Sequence, residues 1–249
     1  MEQIKLTGNR ELSPIMKDIY RRLRTNIEFT GLENRAICIT SVLSSEGKST
    51  VSFYLAQSFA ADGKSALLID ADMRNSKFSS RHSLNQDMKG LSNFLSGKEK
   101  LADVIYETDQ PNLYLMPTGI FPVNPTELLH KERFHKMLEA AKGSFEYVIV
   151  DTPPLGVVVD AAIVARDCDG SVLVISADRI SRRAAIDVKN QLKQANENLL
   201  GIVLNEVDVK SKRYGYGYGY GYGYGYGYGY GSGETYGSGN SGKKRKKEK

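Results

Sequence analysis

No stretch of this 249-residue chain stays apolar over the roughly 18–20 residues that crossing a bilayer requires. Its opening, MEQIKLTGNREL, also lacks the apolar core of a secretory signal. A soluble, cytoplasmic protein whose membrane contacts are peripheral is expected. Cysteine is almost absent: Cys38 and Cys168 lie in apolar runs with no metal-ligand spacing, so a reduced chain with both thiols buried is expected. An excess of charge is missing from the body as well. The net charge of +5 is matched by the final KKRKKEK, residues 243–249. The near-neutral remainder offers no basic groove, which argues against nucleic acid; the basic tip suits either anionic membrane lipid or simple solubility.

What is present falls into three regions. Residues 1–34 read as an amphipathic helical lead-in, with Ile15, Ile19, Leu23 and Ile27 at helical spacing. Residues 35–209 are of globular composition and long enough for one domain with a proper core. Residues 210–249 are low-complexity. In the middle region, strands are expected at 36–41, 66–70, 113–117, 147–151, 171–176 and 201–205. Helices are expected at 48–61, 125–142, 159–166 and 180–195. Most of the strands are apolar without alternation, which fits burial on both faces. The βαβα rhythm predicts an α/β fold, a mostly parallel sheet with helices on both faces, whose ligands bind at the carboxyl ends of the strands.

Three motifs fall on those ends. Residues 41–50, SVLSSEGKST, stand between a strand and a helix and finish as a Walker A loop. A phosphate chain needs converging backbone N–H groups, and a helix N-terminus supplies them with a favourable dipole. Ser44, Ser45, Glu46, Gly47, Lys48, Ser49 and Thr50 are therefore candidate ATP-binding residues, with Lys48 on the β- and γ-phosphates and the Ser49 hydroxyl on Mg²⁺. The leading glycine of the standard loop is replaced by Val42. The second motif, LLIDADMR at 67–74, ends a buried strand with Asp70 and Asp72, two carboxylates that need a compensating cation. The third, VIVDTPP at 148–154, is a Walker B strand ending in Asp151, a metal partner, after which two prolines turn the chain away.

The last region is a tyrosine tract. Tyr214, Tyr216, Tyr218, Tyr220, Tyr222, Tyr224, Tyr226, Tyr228 and Tyr230 alternate with glycine, and Tyr236 follows. Glycine at every second position makes ordering expensive, so a disordered tail is expected. A tract that needed only aromatic faces would have no reason to exclude Phe and Trp. One that needs phenolic oxygens does, which favours these ten residues as phospho-acceptors.

Taken together, these motifs and the tyrosine cluster resemble the bacterial tyrosine kinases of capsule and exopolysaccharide operons, in the separately encoded cytoplasmic CpsD/CapB form. The resemblance runs from about Glu11 to the tail. In that family a Walker A, a Walker A′ of the form apolar-Asp-x-Asp-x-Arg and a Walker B of the form apolar-Asp-x-Pro-Pro occur together, and residues 43–50, 67–74 and 148–154 correspond. Ser44-Ser45 stands where relatives usually carry Pro-Gly. A family pattern Glu-x-x-Arg-x-x-Arg, used to assemble a ring of subunits, matches Asp18, Arg21 and Arg24 with Asp in place of Glu. The resemblance implies a P-loop NTPase fold and an ATP- and Mg²⁺-dependent protein-tyrosine autokinase that regulates polysaccharide synthesis and export. Lys48, Asp70 and Asp72 would be catalytic, with Asp72 accepting or orienting the tyrosine proton. Mg²⁺ would be held by Ser49, Asp70 and Asp151, and Asn205 would lie near adenine. It further implies a homo-oligomeric ring, a tyrosine phosphatase that reverses the reaction, and a membrane-embedded chain-length regulator that recruits the kinase to the inner face of the membrane and completes its ATP site.

Two readings from other classes stand beside it. A MinD/ParA-like ATPase switch has the same fold but carries a lysine five residues before the P-loop lysine, where this chain has Leu43. A non-catalytic scaffold with a self-associating tail would not depend on Lys48.

Overall fold

The computed structural model describes residues 2–7, 11–85, 87–196 and 198–208. Residues 1–208 form one compact unit. The tyrosines from Tyr214 to Tyr236, the expected tail disorder and the basic tip lie outside the described residues.

Strands β1 (Gln3–Ile4), β2 (Ala36–Ser41), β3 (Ala66–Asp70), β4 (Tyr106–Thr108), β5 (Leu113–Met116), β6 (Tyr147–Asp151), β7 (Gly170–Ser176) and β8 (Leu199–Asn205) make one sheet. Their order is β1-β4-β5-β3-β6-β2-β7-β8, and every neighbouring pair is parallel except β4 with β5. Helices α1 (Pro14–Glu28), α2 (Lys48–Ala61), α3 (Phe78–Arg81), α4 (Leu91–Leu95), α5 (Pro125–His130), α6 (Glu132–Ser144), α7 (Asp160–Asp167) and α8 (Arg182–Ala195) complete the fold.

The period-two geometry of the strands explains the unbroken apolar runs. Ala36 and Cys38 of β2, Leu67 and Ile69 of β3 and Val148 and Val150 of β6 face one core, which α4 to α8 cover. Their alternates Ile37, Ile39, Leu68 and Ile149 face a second core closed by α2, with contributions from α1 and α3. Both sides are dry, so neither side of a strand has to be polar. Cys38 and Cys168 are buried free thiols, as expected.

Three expectations change. Residues 125–142 are two helices, broken at Lys131, whose ψ of 141° is extended. On one continuous helix Leu129 and Phe134 would point about 140° apart; the break lets both be fully buried. The apolar stripe of the lead-in is covered only at its carboxyl end: Ile27 is buried, whereas Ile15 is 74% and Ile19 48% exposed. Strands β1 and β4, two and three residues long, were too short to give a periodic signal.

The assembly pattern on α1 divides in the same way. Asp18 pairs with Arg22 at 3.0 Å on the surface. Arg24 turns inward, donating to the Ser58 carbonyl at 2.9 Å and pairing with Asp62 at 3.0 Å at the end of α2. Arg21 lines a cavity of about 820 Å³ beside Tyr20 and Tyr54.

Phe59 is fully buried and stacks on Tyr147 with ring centroids 3.8 Å apart, pinning α2 to β6. Phe59→Ala is expected to cost about 3–5 kcal/mol in urea unfolding. Val123→Ala, at a side chain 96% exposed, should stay within about 0.5 kcal/mol.

Candidate active site

The phosphate-binding loop is shaped by its own glutamate. Glu46 is buried, and its carboxylate accepts the Leu43 N–H at 2.6 Å and the Ser176 N–H at 3.0 Å. One side chain thus closes the loop on itself and fastens it to the end of β7. The Glu46 carbonyl accepts from the Asn205 amide at 2.9 Å, which adds the end of β8. Gly47 follows at φ 83°, and a Cβ there would lie 2.0 Å from the Asn205 amide nitrogen. Conformation and space together require glycine at this point. Ser45 holds a left-handed φ of 63° as a non-glycine residue, and its carbonyl is gripped by Arg179 at 2.5 Å. These contacts supply the turn that Pro-Gly would otherwise set. Glu46 and Asn205 therefore act on the loop's shape, through its interior and its backbone.

Lys48 opens α2 and is nearly buried, with its Nζ 3.2 Å from Asp72 Oδ2, 3.2 Å from Ser49 Oγ and 3.8 Å from Asp151 Oδ1. Burial pulls the ammonium pKa down, but Asp151 and Asp72 outweigh it and the net shift is upward. Lys48 stays charged at any working pH. Asp70 and Asp151 are paired in register across β3 and β6, both buried. Burial, then repulsion from Asp151, raises the Asp70 carboxyl to about 7, against a hydrogen bond from Ser76. Burial also raises Asp151, with Lys48 opposing it. Three buried carboxylates thus face one buried ammonium.

That imbalance fits a divalent cation beside a phosphate chain. Among the described residues no three acidic, histidine or cysteine side chains form a cage for a metal. A cation here would need the Ser49 hydroxyl and phosphate oxygens to complete its ligands, as magnesium sites in nucleotide enzymes commonly do. Ser44, Ser45, Gly47, Ser49 and Thr50 line the same cavity as Lys48 and Asp72, about 260 Å³ in volume. It is smaller than the cavity beside Arg21, but it alone of the two adjoins the acidic strand ends.

Ser52, Ser76 and Thr118, which the sequence did not single out, complete the site together with Arg74 of the A′ motif. The Ser52 hydroxyl lies 2.9 Å from the Lys48 carbonyl and 3.1 Å from Asp151 Oδ1, so its one proton serves one acceptor at a time. It sits one helical turn after Lys48, a spacing that could have flagged it. Ser76 donates to Asp70, and Thr118 donates to the Asp70 carbonyl at 3.0 Å. Arg74 makes a forked pair with buried Asp160, at 2.6 and 3.1 Å, and reaches Thr126 at 2.7 Å. It therefore fastens the A′ segment to α5 and α7.

The raised Asp70 carboxyl has a definite sign for stability. Between its unfolded value near 3.8 and its folded value of about 7, the folded state holds more protons. Its contribution is therefore fully present below pH 4 and lost as pH rises through 7. In the protein without nucleotide, Asp70→Asn should raise the unfolding midpoint at pH 8 and change it little at pH 4, while weakening metal-dependent nucleotide binding. Calorimetry at the two pH values reads the first effect and nucleotide titration the second. Glu46→Ala leaves the buried Ser176 N–H without an acceptor, at about 1–3 kcal/mol, and frees the half-exposed Leu43 N–H. It should weaken nucleotide binding with the sheet still folded, which titration and circular dichroism together would show.

With this geometry in place, the similarities to known proteins are specific. A family model described as an AAA domain matches residues 34–210. Tyrosine-protein kinase CpsD of Streptococcus agalactiae is 49% identical over 199 residues, covering 80% of this chain and 87% of that protein. Tyrosine-protein kinase YwqD of Bacillus subtilis is 37% identical, covering 79% and 84%. Among solved structures, the kinase domain of Escherichia coli tyrosine kinase ETK superposes with a TM-score of 0.74 at 35% identity, covering 81% of this chain and 80% of that one. MinD of Pyrococcus horikoshii, complexed with Mg-ADP, gives 0.62 at 25%, covering 72% of each chain. The loop, the paired acidic strand ends and these similarities converge: the chain belongs to the bacterial tyrosine-protein kinases of capsule and exopolysaccharide synthesis, built on a nucleotide-binding P-loop fold.

Proposed function

We infer that this kinase transfers the γ-phosphoryl group of ATP, with Mg²⁺, to the tyrosines of its own carboxyl-terminal tract. The observation that carries the reading is the contact between Lys48 and Asp72, 3.2 Å apart in the cavity that the phosphate-binding loop lines. One is a permanent cation for the transferring phosphate, the other a carboxylate beside it for the phenol. Lys48 neutralises charge on the γ-phosphate while the bond from phosphorus to the phenolic oxygen forms and the bond to ADP breaks. Asp72 takes or orients the phenolic proton. A bound Mg²⁺ supplies charge neutralisation to the phosphates, with Ser49, Asp70 and Asp151 placed to hold it directly or through water.

The tract is within reach. Asn205 ends β8 at the carboxyl edge of the sheet, and 17 residues from there to Tyr222 would span roughly 20–25 Å as a random coil. The body has a radius of gyration of about 17 Å, so a subunit can modify itself or a neighbour. A ring joined through Asp18 and Arg21 would favour the neighbour; Arg24 is already held inside its own subunit. Each phosphate adds about −1.5 to −2 charges, and several on one tail would push such subunits apart, to be reset by a tyrosine phosphatase. The solved chimera CapA2B2, which superposes with a TM-score of 0.75 at 28% identity, supports a membrane-embedded regulator as partner and recruitment to the membrane surface. Among the described residues no helix is long and apolar enough to cross a membrane. The switch reading has less support: the position of the lysine that reaches across a dimer in that group is Leu43, whose N–H is already bound to Glu46.

Intact mass of the full chain after incubation with ATP and Mg²⁺ tests the reading. Wild type should gain a ladder of phosphates within residues 214–236, and Lys48→Met should gain none. A bare tail in wild type, with the activating partner supplied, would sink it.

A further inference from the structure

Two of the cations that line the cavity of the phosphate-binding loop have no carboxylate partner among the described residues. Besides Lys48, three cations line it: Arg74, Lys77 and Arg81. Lys48 is balanced by Asp72 and Asp151, and Arg74 by Asp160. Among the described residues, Lys77 and Arg81 form no ion pair; Arg81 only touches the Thr50 hydroxyl at 3.3 Å. Both side chains are exposed. They stand four residues apart around the short helix α3, a spacing that puts them on one side. That helix is anchored: Phe78 is buried, with its ring 4.2 Å from His82 and 5.9 Å from Phe53, centroid to centroid. The two charges line the cavity from the segment that follows Asp72, the carboxylate assigned above to the phenol.

The acceptor tract has a matching property. Within residues 214–230 every tyrosine has another tyrosine two residues away, separated by a single glycine. Two residues of extended chain span about 7 Å, and alternate side chains point the same way. The tract itself has no acid. Transfer to one tyrosine therefore places a phosphate dianion two residues from the next acceptor, about 7 Å away wherever the acceptor is bound extended. Outside the repeat, Tyr236 has Glu234 two residues before it, the only acid between Arg213 and Lys243.

We propose that Lys77 and Arg81 form an anion subsite for the acceptor strand, which binds a phosphotyrosine, or Glu234 in its place, two residues from the tyrosine being modified. The first phosphate on a tail then promotes the second. This rests on the tail being the substrate and adds an order to its modification. A charge-assisted contact to a phosphate ester, partly open to solvent, should speed the addition of the next phosphate about tenfold over the first.

The test is the shape of the phosphate ladder on the full chain, quenched while most tail tyrosines are still unmodified. In wild type, singly phosphorylated chains should be depleted relative to unmodified and multiply phosphorylated ones. The double variant Lys77→Gln/Arg81→Gln should restore the proportions of independent sites, whereas Lys136→Gln, a charge change on α6, should keep the wild-type shape. Glu234→Gln should slow labelling of Tyr236 in wild type and have no effect in the double variant. ATP affinity, measured by nucleotide titration, should change less than twofold in the double variant. Independent-site proportions in wild type would overturn the subsite and keep the tail as substrate; a ladder unchanged in the double variant would do the same. Loss of ATP affinity with an unchanged ladder would assign the two cations to the nucleotide. A tail that takes no phosphate at all overturns both readings.

Discussion

At the centre of the molecule one buried ammonium, Lys48, is set against three buried carboxylates, Asp70, Asp72 and Asp151. A charge in such a place is tolerated only when it is paired, and the pairing here is incomplete by design of the chain. Lys48 can satisfy Asp72 and Asp151 in part, while Asp70 relieves the remaining repulsion by holding a proton to about pH 7. Much of the surrounding structure keeps these groups from drifting apart. The parallel register of β3 and β6 sets Asp70 beside Asp151, and Ser52 and Ser76 occupy oxygens that would otherwise be unsatisfied.

The same crowding suits the nucleotide-binding fold of this kinase family. A site left with excess negative charge is poised for a divalent cation, and a lysine fixed as a cation is poised for a phosphate. Bound nucleotide and metal would relax an arrangement that the empty protein holds at a cost in stability. If Asp70 helps hold the metal, as proposed, stability and function oppose one another there.

Rigidity of the phosphate-binding loop comes from outside the loop's consensus. Val42 and Ser44-Ser45 replace residues that usually give such loops their turn, and Glu46, Asn205 and Arg179 hold the backbone instead. Since Glu46 fastens to β7 and Asn205 belongs to β8, the loop is braced by the carboxyl ends of two adjacent strands, the second of which is the last of the described chain. The same carboxyl edge of the sheet carries the contact of Ser176 with Glu206.

Local sequence was enough to fix the main strands, α2, the three acidic or glycine-lysine motifs and the composition of the tail. Each depends on a short-range property: apolar runs buried on both faces, a loop between strand and helix, or glycine alternating with tyrosine. Other features required long-range contacts. The break at Lys131 arises because Leu129 and Phe134 must both reach one core. The exposure of Ile15 and Ile19 arises because α2 covers only part of α1. The inward turn of Arg24 depends on Ser58 and Asp62, more than thirty residues away. The inner role of Glu46 depends on the Ser176 N–H, 130 residues distant. The motifs name which groups can do the chemistry, because residue type carries charge and hydrogen-bonding capacity. Only the packed sheet decides which of those groups are spent on each other and which are left for a ligand, because that depends on distances the sequence does not contain.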